Sequence, residues 1–137
     1  MKSLLLALTL LTGATAFAHD AGPQYSIVRP VAVNWSGFCQ EARFENYISV
    51  ANAMRDYVTP GTWSELYSPM KVKAAKAQIA LRVNGPLSES TRDALYELVD
   101  FVQGHQESID HLWEIEAFFD VAQDLTLMTE SLARDLK

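Results

Sequence analysis

The chain has 137 residues, 49% of them apolar, with 11 Lys and Arg against 17 Asp and Glu and a single cysteine. That length holds one core of ordinary size, so a multidomain enzyme, a disordered tail, a collagen-like repeat and a disulfide-stapled miniprotein are excluded. A net charge of −6 excludes a nucleic-acid binder that works by neutralising phosphates.

Residues 1–18 read as a cleaved secretory signal. Lys2 supplies the positive start, Leu4 to Leu11 form an apolar run broken only by Thr9, and Ala16-Phe17-Ala18 offers small residues at the cleavage positions. The run is too short to span a bilayer as a helix, and no later stretch reaches ~20 consecutive apolar residues. The expected mature protein is periplasmic or secreted, without stable membrane insertion. Its charge is uneven: residues 19–86 carry 7 basic and 5 acidic groups, whereas residues 87–137 carry 3 and 12.

Residues 19–35 place Tyr25, Ile27, Val31, Val33 and Trp35 at period two and contain Pro30, which excludes a helix there. They are expected to form an extended arm on a helical domain, 36–137. From Ser36 to Val58, Phe44, Tyr47, Ile48, Ala51, Met54 and Val58 recur at helical spacing, and Thr59-Pro60-Gly61 stops them. Thr62 with Glu65 reads as a capping box for one short turn. Ser68-Pro69 then predicts a new helix, ending at Asn84-Gly85-Pro86.

Ser88 or Ser90 caps the next helix, with Leu95, Leu98, Val99 and Val102 on its inner face. Beyond Gly104 the pattern continues through Ile109, Leu112, Ile115, Phe119, Ala122, Leu125, Met128, Leu132 and Leu136. One unbroken helix from Ser90 would be too long for a chain of this size, so a break near Gly104 is expected. The fold class is therefore all-α: a small bundle of three to four main helices with an extended N-terminal arm.

Cys39 cannot form a disulfide within the chain, which leaves burial, a reactive thiol or an intermolecular bond. His105 and His111 lie among Glu107, Asp110, Glu114 and Glu116, which invites a metal reading. Geometry weakens it, because six residues rotate about 240° around a helix while chelation from one helix needs a spacing of three or four. Glu107, His111 and Glu114 do share a helical face, which makes a pH-responsive surface patch.

Cleavage after Ala18 would free the amine of His19 beside its imidazole. That pair resembles the copper ligands of the histidine-brace proteins, with His105 or His111 as the further donor. Haem held without covalent attachment would draw on a histidine with Met54, Met70 or Met128, residues that otherwise fill core.

No hydrolase elbow, phosphate loop or zinc-protease motif occurs. An enzyme would have to assemble Arg43, Arg55 and carboxylates across helices, and binding is the favoured reading. Aromatic residues exceed what a small bundle core absorbs, and Trp113 and Phe118 lie partly off the final stripe. The sequence thus predicts an exported acidic helical protein without cofactor. It would bind a basic protein, peptide or envelope component through Glu107, His111, Glu114, Trp113 and Phe118, with no nucleic-acid partner. The alternative is a metal- or haem-binding bundle using His19, His105 or His111.

Overall fold

Four main helices, α1 (Gly37–Met54), α2 (Ser68–Asn84), α3 (Glu89–Gly104) and α4 (Phe119–Asp135), form the bundle. The computed structural model describes residues 22–28 and 37–136, with side chains from 41 onward in the longer stretch. No β-strand occurs among the described residues, and no helix is long and apolar enough to cross a membrane. Helix α1 packs along α2 and α2 along α3, while α4 closes against α3 and α1.

The core follows the helical periodicity. Phe44, Tyr47, Ala51 and Met54 of α1 meet Met70, Ala74, Ala77 and Leu81 of α2, with Leu95, Leu98, Val99 and Val102 of α3 and Val121, Ala122, Leu125 and Leu132 of α4 completing it. The two alanines on the inner face of α2, Ala74 and Ala77, let its backbone approach its neighbours closely. Within the core the Tyr47 hydroxyl and Thr129 Oγ1 satisfy one another at 2.9 Å.

The start of α2 departs from the expectation. Thr59, not Thr62, is the cap: its Oγ1 accepts the Thr62 N–H at 3.2 Å, and a helical turn begins at Pro60. The path then runs through a wide π turn, Trp63–Tyr67, directly into α2. The Ser68 N–H reaches back five residues to the Trp63 carbonyl. Pro69 follows at once; in a regular helix its ring would crowd the carbonyl four residues earlier and leave it without a donor. Widening the preceding turn accommodates the ring, so Ser68-Pro69 marks a π-bulge rather than a fresh start.

At its other end α2 stops at Gly85, whose φ of +85° is a conformation that side-chain-bearing residues rarely adopt. Ser88 then caps α3 by accepting the Thr91 N–H at 3.1 Å. The fully buried Thr91 hydroxyl lies 2.8 Å from the Gly85 carbonyl and 3.0 Å from that of Ala80, so one side chain ties the end of α2 to the start of α3. Replacing Ser88 with Ala is expected to cost about 1 kcal/mol, read as a lowered urea midpoint with an unchanged slope.

The expected break occurs at the end of α3, and its cause is not the glycine itself. Gly104 is still helical; the chain turns at His105, at φ −109° and ψ 20°. The His105 N–H shifts to the Val102 carbonyl at 3.0 Å. Its ring takes over the carbonyl that a continuing helix would have used, Nδ1 lying 2.9 Å from Phe101 O. After this come a short helix, Gln106–Asp110, and two 3-10 turns, His111–Glu114 and Glu116–Phe118, separated by extended Ile115.

Residues 22–28 carry no regular structure and lie against the bundle. Tyr25 and Ile27 turn inward at period two, as expected for the arm; Val31, Val33 and Trp35 lie outside the described residues. Gly22 passes so close to the Ala117 backbone that a Cβ there would sit 1.9 Å from the Ala117 oxygen. The Tyr25 hydroxyl donates to Asp124 at 2.8 Å. Val28 is gripped by one side chain: its N–H donates to Asn46 Oδ1 at 2.9 Å, and Asn46 Nδ2 donates to its carbonyl at 2.7 Å. Asn46 thereby gives this segment the pair of hydrogen bonds that a neighbouring strand would supply.

Candidate functional site: an acidic aromatic surface

The connection between α3 and α4 displays the most distinctive surface among the described residues. Counting Ile115 and Phe119 into the inner stripe assumed one continuous helix through them. Extended Ile115, at φ −119° and ψ 113°, breaks that phase. Ile109 and Leu112 before it, and Val121 and Leu125 after it, still face the core. Ile115 and Phe119 swing outward and are 48% and 44% exposed.

Trp113 joins them at 43% exposure, its ring centroid 6.1 Å from that of Phe119 in a tilted pair. Phe118, named from the sequence as a surface candidate, is half-buried and meets Tyr57 edge-on at 6.0 Å. The surface partner of Trp113 is therefore Phe119. A signal for this was present: Trp113-Glu114-Ile115-Glu116 alternates apolar and acidic residues with period two, the pattern of extended rather than helical chain.

The electrostatic setting is one-sided. Between Arg92 and Arg134 the chain carries ten carboxylates and no lysine or arginine. Five of them, Glu107, Asp110, Glu114, Glu116 and Asp120, are exposed around the aromatic pair in sequence. An open hollow of about 610 Å³ runs from this surface beneath residues 22–27, with Glu116, Asp120, Asp124 and Phe119 in its wall. Glu116 and Asp120 stand in solvent; Asp124 is buried and accepts the Tyr25 hydroxyl.

His111 sits in the same field, Nδ1 3.9 Å from Glu114 Oε2, with both side chains more than two-thirds exposed. A contact that long between solvated groups adds little stability. Glu107 lies in the short helix Gln106–Asp110 and His111 and Glu114 in the 3-10 turn after it, so the three residues do not share one regular helix.

His105 is separate in role. Its Nδ1–H donates to Phe101 O, since a carbonyl only accepts, and its ring lies against Phe101 at a centroid distance of 4.3 Å. It caps α3. Among the described residues no three His, Cys, Asp or Glu side chains converge to hold a metal ion. His19 and the side chain of Cys39 lie outside the described residues. Met54 and Met70 are wholly buried in the core and Met128 packs against it. Arg43 is committed to Asp135 and Ser131, at 2.6 and 3.0 Å, and Arg55 lies over the Trp63 ring at 5.1 Å.

No protein family, curated protein or solved structure matches the chain.

Proposed function

We propose that this chain is an exported acidic helical domain that acts by binding a basic protein, peptide or envelope component through the Trp113–Phe119 surface. The observation that supports it most is the exposure of a tryptophan, a phenylalanine and an isoleucine within seven residues of a stretch devoid of cations. Exposed aromatics amid carboxylates suit a partner whose lysine or arginine stems lie on the rings while their charges meet the acids. The hollow beside Phe119 adds an entry for one such side chain between Glu116 and Asp120. Long-range attraction would speed encounter, and the aromatic contacts would slow release. Export is supported by Lys2, the Leu4–Leu11 run and Ala16-Phe17-Ala18.

Titration with an oligolysine or arginine-rich peptide, followed by tryptophan emission, tests this reading. Affinity is expected to fall steeply between low and moderate salt, as exposed charges are screened beyond ~8 Å at physiological ionic strength. Trp113→Ala is expected to weaken binding by at least about thirtyfold, the scale of a central aromatic contact. Binding that ignores both salt and the Trp113 substitution would remove the proposal. The mass of protein exported through its own leader reports the cleavage site, expected after Ala18.

A further inference from the structure

Helix α2 shows a second unusual surface with the opposite character. Val72, Ile79 and Val83 are 56%, 59% and 74% exposed. Together with Lys76 they fall within about 60° of one another at 100° per residue, so they form one stripe along the outward side of the helix. The 17 residues of α2 include Lys71, Lys73, Lys76 and Arg82 and no carboxylate. Lys73 and Arg82 flank the stripe on either side, reaching Glu97 of α3 at 2.8 Å and Glu41 of α1 at 2.8 Å, and Lys76 shares Glu97 at 3.4 Å. An apolar stripe with a lysine at its centre and cations along its edges is open to solvent.

We infer that this face of α2 docks head to tail on the Trp113–Phe119 surface of a second copy of the chain. The two surfaces are complementary in both respects that set an interface: aliphatic stripe against exposed aromatic pair, and a face whose four cations outnumber the two carboxylates they pair with against acids without cations. The contact is heterologous because α2 facing α2 would bring Lys76 and its flanking cations against their like. An anionic lipid surface would match the α2 cations too, but the chain's net negative charge opposes it, and three aliphatic side chains without an aromatic give little insertion. The inference rests on the proposed reading of the Trp113 surface as one that receives cations. It adds that the protein carries such a cationic face itself.

Sedimentation velocity of the full exported chain, from micromolar to near-millimolar concentration, tests it. Average mass is expected to climb with concentration and to drop back at high salt. Ile79→Glu and Trp113→Ala, both at exposed positions, are each expected to raise the self-dissociation constant at least about tenfold. An equal mixture of the two variants is expected to give a dimer that grows no further, because each retains the face the other lacks. Ile79→Glu is expected to keep its affinity for oligolysine, which separates failure of self-docking from failure of the binding function. A chain that stays monomeric throughout, or association that survives Ile79→Glu, overturns the inference. Binding of a monomeric chain to phosphatidylglycerol vesicles that is lost in Ile79→Glu would also overturn it, in favour of a lipid surface.

Discussion

Raising the pH from neutral to 12 is expected to remove about 5 kcal/mol of folding stability through two tyrosines alone. Burial pushes the Tyr47 phenol up to about 12, against the pull of its Thr129 hydrogen bond and of the nearby Arg43 charge, and burial likewise pushes Tyr67 up to about 12. In the unfolded chain both titrate near 10. The neutral phenol is thus the form the fold prefers. Its contribution is complete below pH 10 and is lost as the pH rises towards the folded value. Each group supplies roughly 3 kcal/mol, at about 1.4 kcal/mol per pH unit of separation.

Urea unfolding at neutral pH and at about pH 12 measures the loss, and Tyr67→Phe is expected to abolish about half of it. Tyr47→Phe should abolish the other half but start from a stability lowered by about 1 kcal/mol, since it leaves the buried Thr129 hydroxyl without its partner. A double Phe variant with an unaltered alkaline loss would show that other groups drive it.

Replacing Arg43 with Ala is expected to destabilise the fold by about 3 kcal/mol. Its guanidinium donates to Asp135 at 2.6 Å and to Ser131 at 3.0 Å, with the two charged side chains only 10% and 13% exposed. Removal strands a carboxylate in a place with little water, and that cost exceeds what the pair contributes as a pair. Arg43→Met combined with Asp135→Leu is therefore expected to regain most of the loss. The contact is the main polar tie between α1 and α4, so Arg43→Ala should also raise amide exchange along α4 more than along α3. A single variant within about 0.5 kcal/mol of the parent would mean that solvent reaches Asp135 freely.

The fold was legible where apolar residues repeat with one uninterrupted phase. The inner residues Leu95, Leu98, Val99 and Val102 of α3 are all buried, and Gly85 and Ser88 mark the turn before it as their chemistry requires. It was misread where the phase changes without a glycine or proline to announce it. Ile115 is a β-branched residue in a short stretch that alternates apolar and acidic residues between longer helical patterns, and packing on both sides selects the extended form. That single residue moves Phe119 from the expected core to the surface. Pro69 shows the converse: a strong local stop signal is absorbed by a π turn because Leu66 and Tyr67 of that turn and Met70 of the helix after it are buried in one core.

The candidate site divides in the same way. Its charge was readable, since carboxylates cannot be buried in number without partners and so must define an outer field wherever the chain folds. Its aromatic centre was half readable: Trp113 stands where expected, while Phe118 turns towards Tyr57. His105 could be named from the sequence but not assigned a role, because whether an imidazole binds a ligand or caps a helix depends on which carbonyl lies beside it.

By itself the amino-acid order determined the class of architecture, the arm, the helix ends set by Gly85 and Ser88, and the crowding of negative charge into the second half. Each follows from local periodicity, backbone chemistry or a count of ionised groups. Tertiary structure alone decided that Arg43 and Asp135 are partners across 92 residues, that Asn46 grips Val28, and which aromatic stands beside Trp113. Those outcomes depend on how four helices fill a shared interior, where a side chain's neighbour is chosen by volume and hydrogen-bond satisfaction rather than by distance along the chain.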